Sequence, residues 1–456
     1  MMSTPSDDAR PPGRPATVPT MPGTPDPQSR EPQRLRWLTQ TVLPASLLLF
    51  GLFVLVQQAV LGSQAPIDFC QDYIAARRAW QGISIYLPLA ASPDDTGCLA
   101  GLVYNAHPPT ATLLLLPLGL LPRAEATLLW GLLSLAAYLI AGALLLRALG
   151  WLSLPRFTLF VLASILWQPF TFGQTVHNAG QILLLILVGA WLLERRGHTS
   201  WAGALLALAA LLKLWPAVFL LWGLLQGRWR TALTGGAVLV GGMVLALLLV
   251  GPGDFRVYLG PIQSYEHLWF PNKDNLSLVG AVTRPLRGYQ DAQVLLPPLA
   301  RGISLAQAAA LAEVLAGAVL LGSLVWLWWC QRRQRSAATN LLCQSLLINV
   351  LLLTFPVTWY WGMLFLLLSG TQFLLALRLL PKPSRRWFLL LGVGLLLCIE
   401  PEWIVIPIEW LLGSKTPGLV GLGVLLFGLP TYGLLLLVGL QAHLLWRCAG
   451  GMVWKS

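Results

Sequence analysis

Residues 195–230 read RRGHTSWAGALLALAALLKLWPAVFLLWGLLQGRWR, an apolar run closed at both ends by arginines. Only 31 residues separate Arg196 from Arg228, and Pro216 stands among them. A proline removes a helix hydrogen bond and its ring clashes with the preceding turn, which argues against one continuous helix. The spacing predicts two short helices folded as a hairpin, or a re-entrant loop, with Lys213-Leu214-Trp215-Pro216 at the turn. Half-length helices hold polar backbone at membrane depth only where it faces protein or a water-filled cavity. Lys213 sits deep in this apolar hairpin, where an ammonium is expensive and is by default a functional hypothesis.

The rest of the chain repeats the pattern on a larger scale. It has 456 residues, 56% hydrophobic and 11% charged, with a mean hydropathy of +0.69, whereas soluble domains carry about a quarter charged residues. Apolar windows of roughly 20 residues, long enough to cross a hydrocarbon core of about 30 Å, recur from Trp37 almost to the C-terminus. Lipid is the solvent, so the fold class is an all-α polytopic membrane protein. The net charge of +12 lies in short clusters between apolar runs, a topology signal rather than a nucleic-acid surface.

Cytoplasmic loops collect Lys and Arg. Clusters at Arg34/Arg36, Arg147/Arg156, Arg195/Arg196, Arg228/Arg230, Arg332/Arg333/Arg335, Arg378/Lys382/Arg385/Arg386 and Arg447/Lys455 must then enclose hairpins with outward apices. The apices fall at residues 62–125, 172–181, Lys213 to Pro216, 251–301, near Pro356, and through Glu400, Glu402, Glu409 and Lys415. About 12 crossings follow, with both termini cytoplasmic. Residues 1–36, rich in Pro, Ser, Thr and Asp, read as a disordered cytoplasmic tail, residues 37–446 as one transmembrane domain, and residues 447–456 as a cytoplasmic C-terminal tail. In the first loop Phe69, Tyr73, Ala76 and Trp80 recur at helical spacing, which predicts an interfacial helix lying on the membrane. Six cysteines show no metal spacing, so no metal is implied; Cys70 and Cys98 share one loop and are either bridged or free.

If the apices converge, they bring together Asp68, Asp72, His107, Gln174, His177, Asn178, Gln181, Lys213, Asn275, Arg284 and Tyr360. A carboxylate pair facing cations suits sugar transfer from a lipid phosphate. The carboxylate deprotonates an acceptor hydroxyl, and Lys or Arg stabilises the leaving phosphate. No cofactor is demanded, because the leaving group arrives activated. Each residue has a structural alternative: Asp68 caps the interfacial helix, Asp72 is solvated, His107 sits in a turn before Pro108-Pro109, Arg284 touches headgroups, and the Gly-Gln pairs at 173 and 180 pack helices.

Taken in order, the segments resemble glycosyltransferase family 87, membrane mannosyltransferases of the GT-C superfamily that use polyprenyl-phosphate-mannose. The resemblance runs through Asp68-Phe69, Tyr73, Ala75-Ala76, Gly82 and Tyr86, then Tyr104 and Pro108-Pro109, then Gly180-Gln181. It continues with Ala202-Gly203, Leu208-Ala209, Lys213 and Pro216, then Asn275, Ser277 and Arg284, then Pro356, Thr358 and Trp359. The resemblance implies a GT-C fold and an inverting hexosyltransferase with its active site on the extracytoplasmic side of the cell (inner or plasma) membrane. The donor would be a polyprenyl-phosphate sugar and the acceptor a glycolipid or polysaccharide. Asp68 would be the catalytic base and Lys213 with Arg284 the donor-phosphate clamp; Asp72, His107, Gln181, Asn275, Trp359 and Tyr360 would border substrate. The chain departs from the family after Trp359: where an acidic residue and histidine are usual it has Tyr360-Trp361-Gly362. The rival reading is a transporter or flippase of a lipid-linked sugar, using the same cations without carboxylate chemistry; a structural subunit of an envelope-assembly complex is a third.

Overall fold

Helix breaks, more than helix number, set the architecture of the computed structural model, which describes residues 35–62, 67–89, 104–290, 295–296, 298, 302–380, 385–398 and 428–449. After a π turn at Leu38–Val42 come α1 (Leu43–Gly62), α2 (Ile67–Trp80) and the seven-residue α3 (Pro109–Leu115), which runs into a 3-10 turn. The 26-residue α4 (Arg123–Ala148) follows. Five short helices come next: α5 (Leu154–Leu166), α6 (Gln168–Thr175), α7 (Gly180–Arg195), α8 (Thr199–Leu212) and α9 (Ala217–Leu225). The 29-residue α10 (Trp229–Val257) bends at Gly251, whose φ of 81° lies just before Pro252. The short α11 (Gln263–Glu266) and α12 (Leu278–Arg287) form the next connection, closed by a two-residue antiparallel ladder, Tyr289–Gln290 with Leu295–Leu296. Then come α13 (Leu305–Arg333), α14 (Ala337–Thr354), α15 (Leu366–Leu379), α16 (Arg385–Leu397) and α17 (Leu429–Ala449).

The expected 196–228 hairpin is present: α8 has 14 residues and α9 has nine, and they part at Lys213. At about 1.5 Å per residue neither spans a bilayer alone. The expected number of crossings is not reproduced as full-length spans. Among the described residues seven stretches are long and apolar enough to cross: Leu35–Gly62, Arg123–Ala148, Trp229–Trp269, Leu305–Arg333, Ala337–Thr354, Tyr360–Leu379 and Leu429–Ala449. Shorter apolar helices at Pro109–Leu120, Leu154–Leu166, Thr199–Leu212 and Trp387–Leu397 accompany them. Proline explains much of the difference, because Pro109, Pro155 and Pro169 open helices at their first turns and so divide the hydrophobic runs.

Packing follows membrane rules. Helix α14 is the centre of the bundle, buried without interruption from Leu341 to Thr354. Its polar groups are satisfied across helices: Ser345 and Ser369 hydroxyls lie 3.0 Å apart, Gln441 Nε2 donates to Ser345 Oγ at 2.8 Å, and Asn349 donates to Gln441 Oε1 at 3.0 Å. Such bonds tie helices together where lipid offers no partner. Small residues bring α8 against α10, where the Gly203 carbonyl oxygen stands 2.8 Å from the position a Gly235 Cβ would take. Serine caps open the later helices: Ser304 forms a capping box with Gln307, and Ser277 and Ser336 accept from backbone N–H groups of Gly280 and Thr339.

In the first loop the expected helix does form, at 67–80, and every residue from Phe69 to Ala76 is buried against other parts of the protein. The 3-10 turn at Leu116–Leu120 and helix α3 close over it, and the Tyr73 hydroxyl donates to the Leu121 carbonyl at 2.8 Å. Cys70 is disulfide-bonded, while Cys98 lies outside the described residues, as do the sixth apex and nearly all of both tails.

Candidate active site

The site is assembled where the chain turns at one end of the bundle, and five of the six expected apices meet there. Asp68, in the first turn of α2, donates its backbone N–H to the Val176 carbonyl at 3.1 Å, and its carboxylate accepts a short hydrogen bond from Asn178 Nδ2. Asn178 also holds the start of α7, accepting from the Gly180 N–H at 2.7 Å. The first two apices are thereby locked together, and Asp68 sits where a helix N-terminus favours an anion.

Asn178 faces a small cavity of about 60 Å3. Lys213 lines it too, with Trp215 from the α8–α9 turn and Thr358, Trp359 and Trp361 from the segment after α14. Lys213 ends α8 in an extended conformation, φ −144° and ψ 132°, so the broken hairpin delivers a half-buried ammonium to this cavity. The other end of the hairpin is remote: α7 runs 16 residues from Gly180 to Arg195, about 24 Å. There Arg228 pairs with Glu194 and donates to Asn340 Oδ1 at 2.9 Å.

Asp72 is not solvated. It is 4% exposed, and its Oδ1 is 2.7 Å from His107 Nδ1. The loop holding that histidine is itself fixed, since the Tyr86 hydroxyl donates to the His107 carbonyl at 2.7 Å and the Ala106 N–H donates to Gln71 Oε1 at 2.9 Å. A buried carboxylate requires such a partner. Glu266, which the sequence reading passed over, stands half-buried within electrostatic reach of both His107 and Lys213.

Asn275, Ser277 and Arg284 do not line the cavity; they build the segment that does. Asn275 is fully buried and donates from Nδ2 to the carbonyls of Phe270 and Pro356 at 3.1 and 3.0 Å. Its Oδ1 accepts from the N–H groups of Ser277 and Thr358 at 3.2 and 3.1 Å. The Leu276 N–H donates to the Thr358 carbonyl at 2.7 Å and Ser277 Oγ to the Pro356 carbonyl at 3.1 Å. The spaced Asn and Ser thus fasten the Pro356–Thr358 turn, and with it Trp359, to the wall. Arg284 is 1% exposed and donates from Nη1 to the carbonyls of Asn272 and Asn275 at 2.8 and 2.6 Å. Burial pulls its guanidinium down to about 10, still a cation at neutral pH. Tyr360 is buried beside it, within electrostatic reach. Thr431, at the start of α17, donates to the Leu276 carbonyl at 2.9 Å.

The two Gly-Gln pairs serve close packing. A Cβ on Gly173 would lie 3.1 Å from both the buried Gln181 amide and Trp361 Cβ, and one on Gly180 would lie 3.5 Å from Leu364. His177 between them adopts a left-handed φ of 56° and is 1% exposed. Its ring lies against Gly62 and Gly131, where any Cβ would collide with it. Burial pushes its imidazole below the usual range, an effect the backbone of Thr175 and Gln174 partly offsets.

Comparison with known proteins identifies the family. An alignment over 162 positions, covering 32% of this chain, is 35% identical to the alpha-(1->3)-arabinofuranosyltransferase of Mycobacterium tuberculosis, in strains CDC 1551 / Oshkosh and ATCC 25618 / H37Rv. The match spans about 37% of those relatives' own length. The profile of glycosyltransferase family 87 matches residues 105–356, which takes in His107, Asn178, Lys213, Asn275, Arg284 and the turn at Pro356. With more than half of its length matched, this membrane protein belongs to glycosyltransferase family 87.

Proposed function

We propose that the chain transfers a hexose, mannose, from a polyprenyl-phosphate donor to a glycolipid or polysaccharide on the outer face of the membrane, with inversion at the anomeric carbon. The observation that carries the reading is the cavity shared by Lys213 and by Asn178, the hydrogen-bond partner of Asp68. A cation and a carboxylate set on facing segments are what displacement of a phosphate by a hydroxyl requires. The acceptor oxygen attacks the anomeric carbon and its proton passes to the Asp68 carboxylate. The bond from that carbon to the phosphate oxygen breaks, its electron pair leaving with the polyprenyl phosphate beside the Lys213 ammonium. Arg284 supports the site at a distance, its guanidinium holding the 272–275 segment through the carbonyls of Asn272 and Asn275. Asp72 and His107 form a fixed pair that holds the loop bordering the acceptor.

The second reading keeps the chemistry and changes the sugar. The M. tuberculosis relatives are arabinofuranosyltransferases, which favours a lipid-linked pentofuranose as the alternative donor. Transfer of radiolabelled sugar from synthetic polyprenyl-phosphate-mannose and polyprenyl-phosphate-arabinofuranose to membrane lipid, with wild type and Asp68→Asn in the same detergent, tests both readings. Label moved by wild type and lost in a folded Asp68→Asn establishes reaction and base. Label moved equally by both removes Asp68 from that role. Transfer by neither, with folded protein and a relevant acceptor lipid, returns the reading to a flippase.

A further inference from the structure

A second cavity, of about 560 Å3, lies at the end of the bundle remote from Asp68 and Lys213, and it is far larger than the one beside Asn178. Two chain reversals build it. The turn between α9 and α10 supplies Arg228 and Trp229, and the turn between α13 and α14 supplies Arg332, Arg335 and Ser336. Arg228 joins the two, since it pairs with Glu194 and donates from Nη2 to Asn340 Oδ1 at 2.9 Å. Its charge is thereby taken up within the protein. The Arg332 guanidinium stands 4.4 Å from the centroid of the Trp328 ring, and neither it nor Arg335 has an acidic partner among the described residues.

Arginines at the ends of membrane helices are ordinarily topology signals. Topology asks only for charge near the surface, and here there is more. The charges border a concavity whose volume falls within the range of about 300–1,000 Å3 usual for small-molecule sites. Among the described residues no Asp or Glu lines it. The 18-residue α14 reaches it with Ser336 and Ala337, and the N–H groups of a helix start favour an anion. Gln226 and Gln331, one from each turn, also line the cavity, and their side-chain oxygens are buried with no partner among the described residues. Buried amides left in that state call for a partner from outside the chain. The neighbouring Arg333 stacks over Trp329 at 4.5 Å instead and does not line the cavity.

We propose that this cavity binds the headgroup of an anionic glycerophospholipid. Arg332 and Arg335 hold the phosphate oxygens at the start of α14, and hydroxyls of the headgroup donate to the oxygens of Gln226 and Gln331. Basic pockets between membrane helices suit lipid phosphates. The rim favours a lipid over a soluble phosphate ester: Leu224, Leu225 and Trp229 line the cavity and are 38%, 36% and 60% exposed. Acyl chains lie along the two leucines, with the indole at headgroup level. One bound lipid then ties the α9–α10 turn to the α13–α14 turn. The proposal is independent of the transferase reading, since no sugar and no reaction step enters it.

The test is native mass spectrometry of the delipidated full-length protein in a neutral detergent. It is titrated separately with dioleoyl-phosphatidylglycerol, dioleoyl-phosphatidylcholine, glycerol 3-phosphate and a polyprenyl phosphate. One phosphatidylglycerol is expected to bind ahead of any other lipid, and more tightly than phosphatidylcholine. Arg335→Gln should weaken that first lipid about fivefold, and Arg332→Gln with Arg335→Gln about 30-fold. Arg335 is exposed, so its replacement leaves the fold intact. Arg333→Gln removes the same charge from the same helix end but outside the cavity, and should change nothing. Equal weakening by Arg333→Gln and Arg335→Gln would show surface charge alone at work and overturn the site, as would equal binding of phosphatidylcholine. Glycerol 3-phosphate bound as tightly as phosphatidylglycerol would replace the lipid with a soluble phosphate ester. A polyprenyl phosphate bound more tightly than phosphatidylglycerol, and released by Arg335→Gln, would overturn the phospholipid assignment in favour of an isoprenoid carrier.

Discussion

Asn275→Ala is expected to uncouple the turn that presents Trp359 from the rest of the protein. The asparagine makes four buried hydrogen bonds. Of the groups it serves, the Pro356 carbonyl keeps a second donor in Ser277 Oγ at 3.1 Å. The Phe270 carbonyl and the N–H groups of Ser277 and Thr358 lose the partner seen here. At about 1–3 kcal/mol for each buried group left unsatisfied, the total for three groups is on the order of 3–9 kcal/mol. That is more than a local loop contact withstands, so the 270–277 and 356–359 segments are expected to separate and take up water while the helices stay folded. Hydrogen–deuterium exchange at Leu276, whose N–H donates to Thr358, reads the separation directly. Transfer kinetics read its consequence, since a displacement of about 1 Å at a reacting centre costs on the order of 10²-fold in rate. Asn275→Asp keeps acceptor oxygens for the two N–H groups and should fall between wild type and Asn275→Ala. Native exchange at Leu276 with native kinetics in Asn275→Ala would refute the assignment of Asn275 as the fastener of this turn.

Asp72→Asn is expected to weaken the His107 contact and lower stability by about 1–3 kcal/mol, read as a lower thermal midpoint in detergent, with faster proteolysis of the loop before Pro108. Gly203→Ala would drive a Cβ into the Thr231 carbonyl. It should cost about 1–3 kcal/mol or more by levering α8 off α10, and an unchanged midpoint would contradict the close approach. The lowered imidazole of His177 gives a pH dependence whose sign is set by burial. Its contribution is whole above the unfolded value of 6.5 and declines as pH falls below it, because the unfolded chain takes up the proton first. The thermal midpoint should therefore drop between pH 7 and 5, by less in His177→Asn, which also suits the left-handed φ.

Much of the fold could be read from local features. The hairpin at Lys213 followed from two arginine clusters and one proline, all within 36 residues. The crossings were harder to count, because hydropathy reports apolar length and not whether a run is one helix or two; Leu154–Leu166 and Gln168–Thr175 occupy a single apolar stretch broken before Pro169. The α2 helix was legible from its periodicity, but its enclosure was not, since the 3-10 turn that covers it begins 36 residues after its last residue, Trp80. Glu266 escaped notice because an acid in a polar loop carries no signal until its neighbours are known.

Composition and local spacing establish that lipid is the solvent, that Lys213 stands at a break inside an apolar hairpin, and that the polar residues gather at chain reversals. Each of these depends on composition or on spacings of a few residues, which act locally along the chain. What those residues touch depends on long-range packing: His107 on Asp72 across 35 positions, Asn178 on Asp68 across 110, and Asn275 on Thr358 across 83. A buried polar group must find its partner wherever packing of the helices places one, and that choice belongs to the whole bundle rather than to any segment of it.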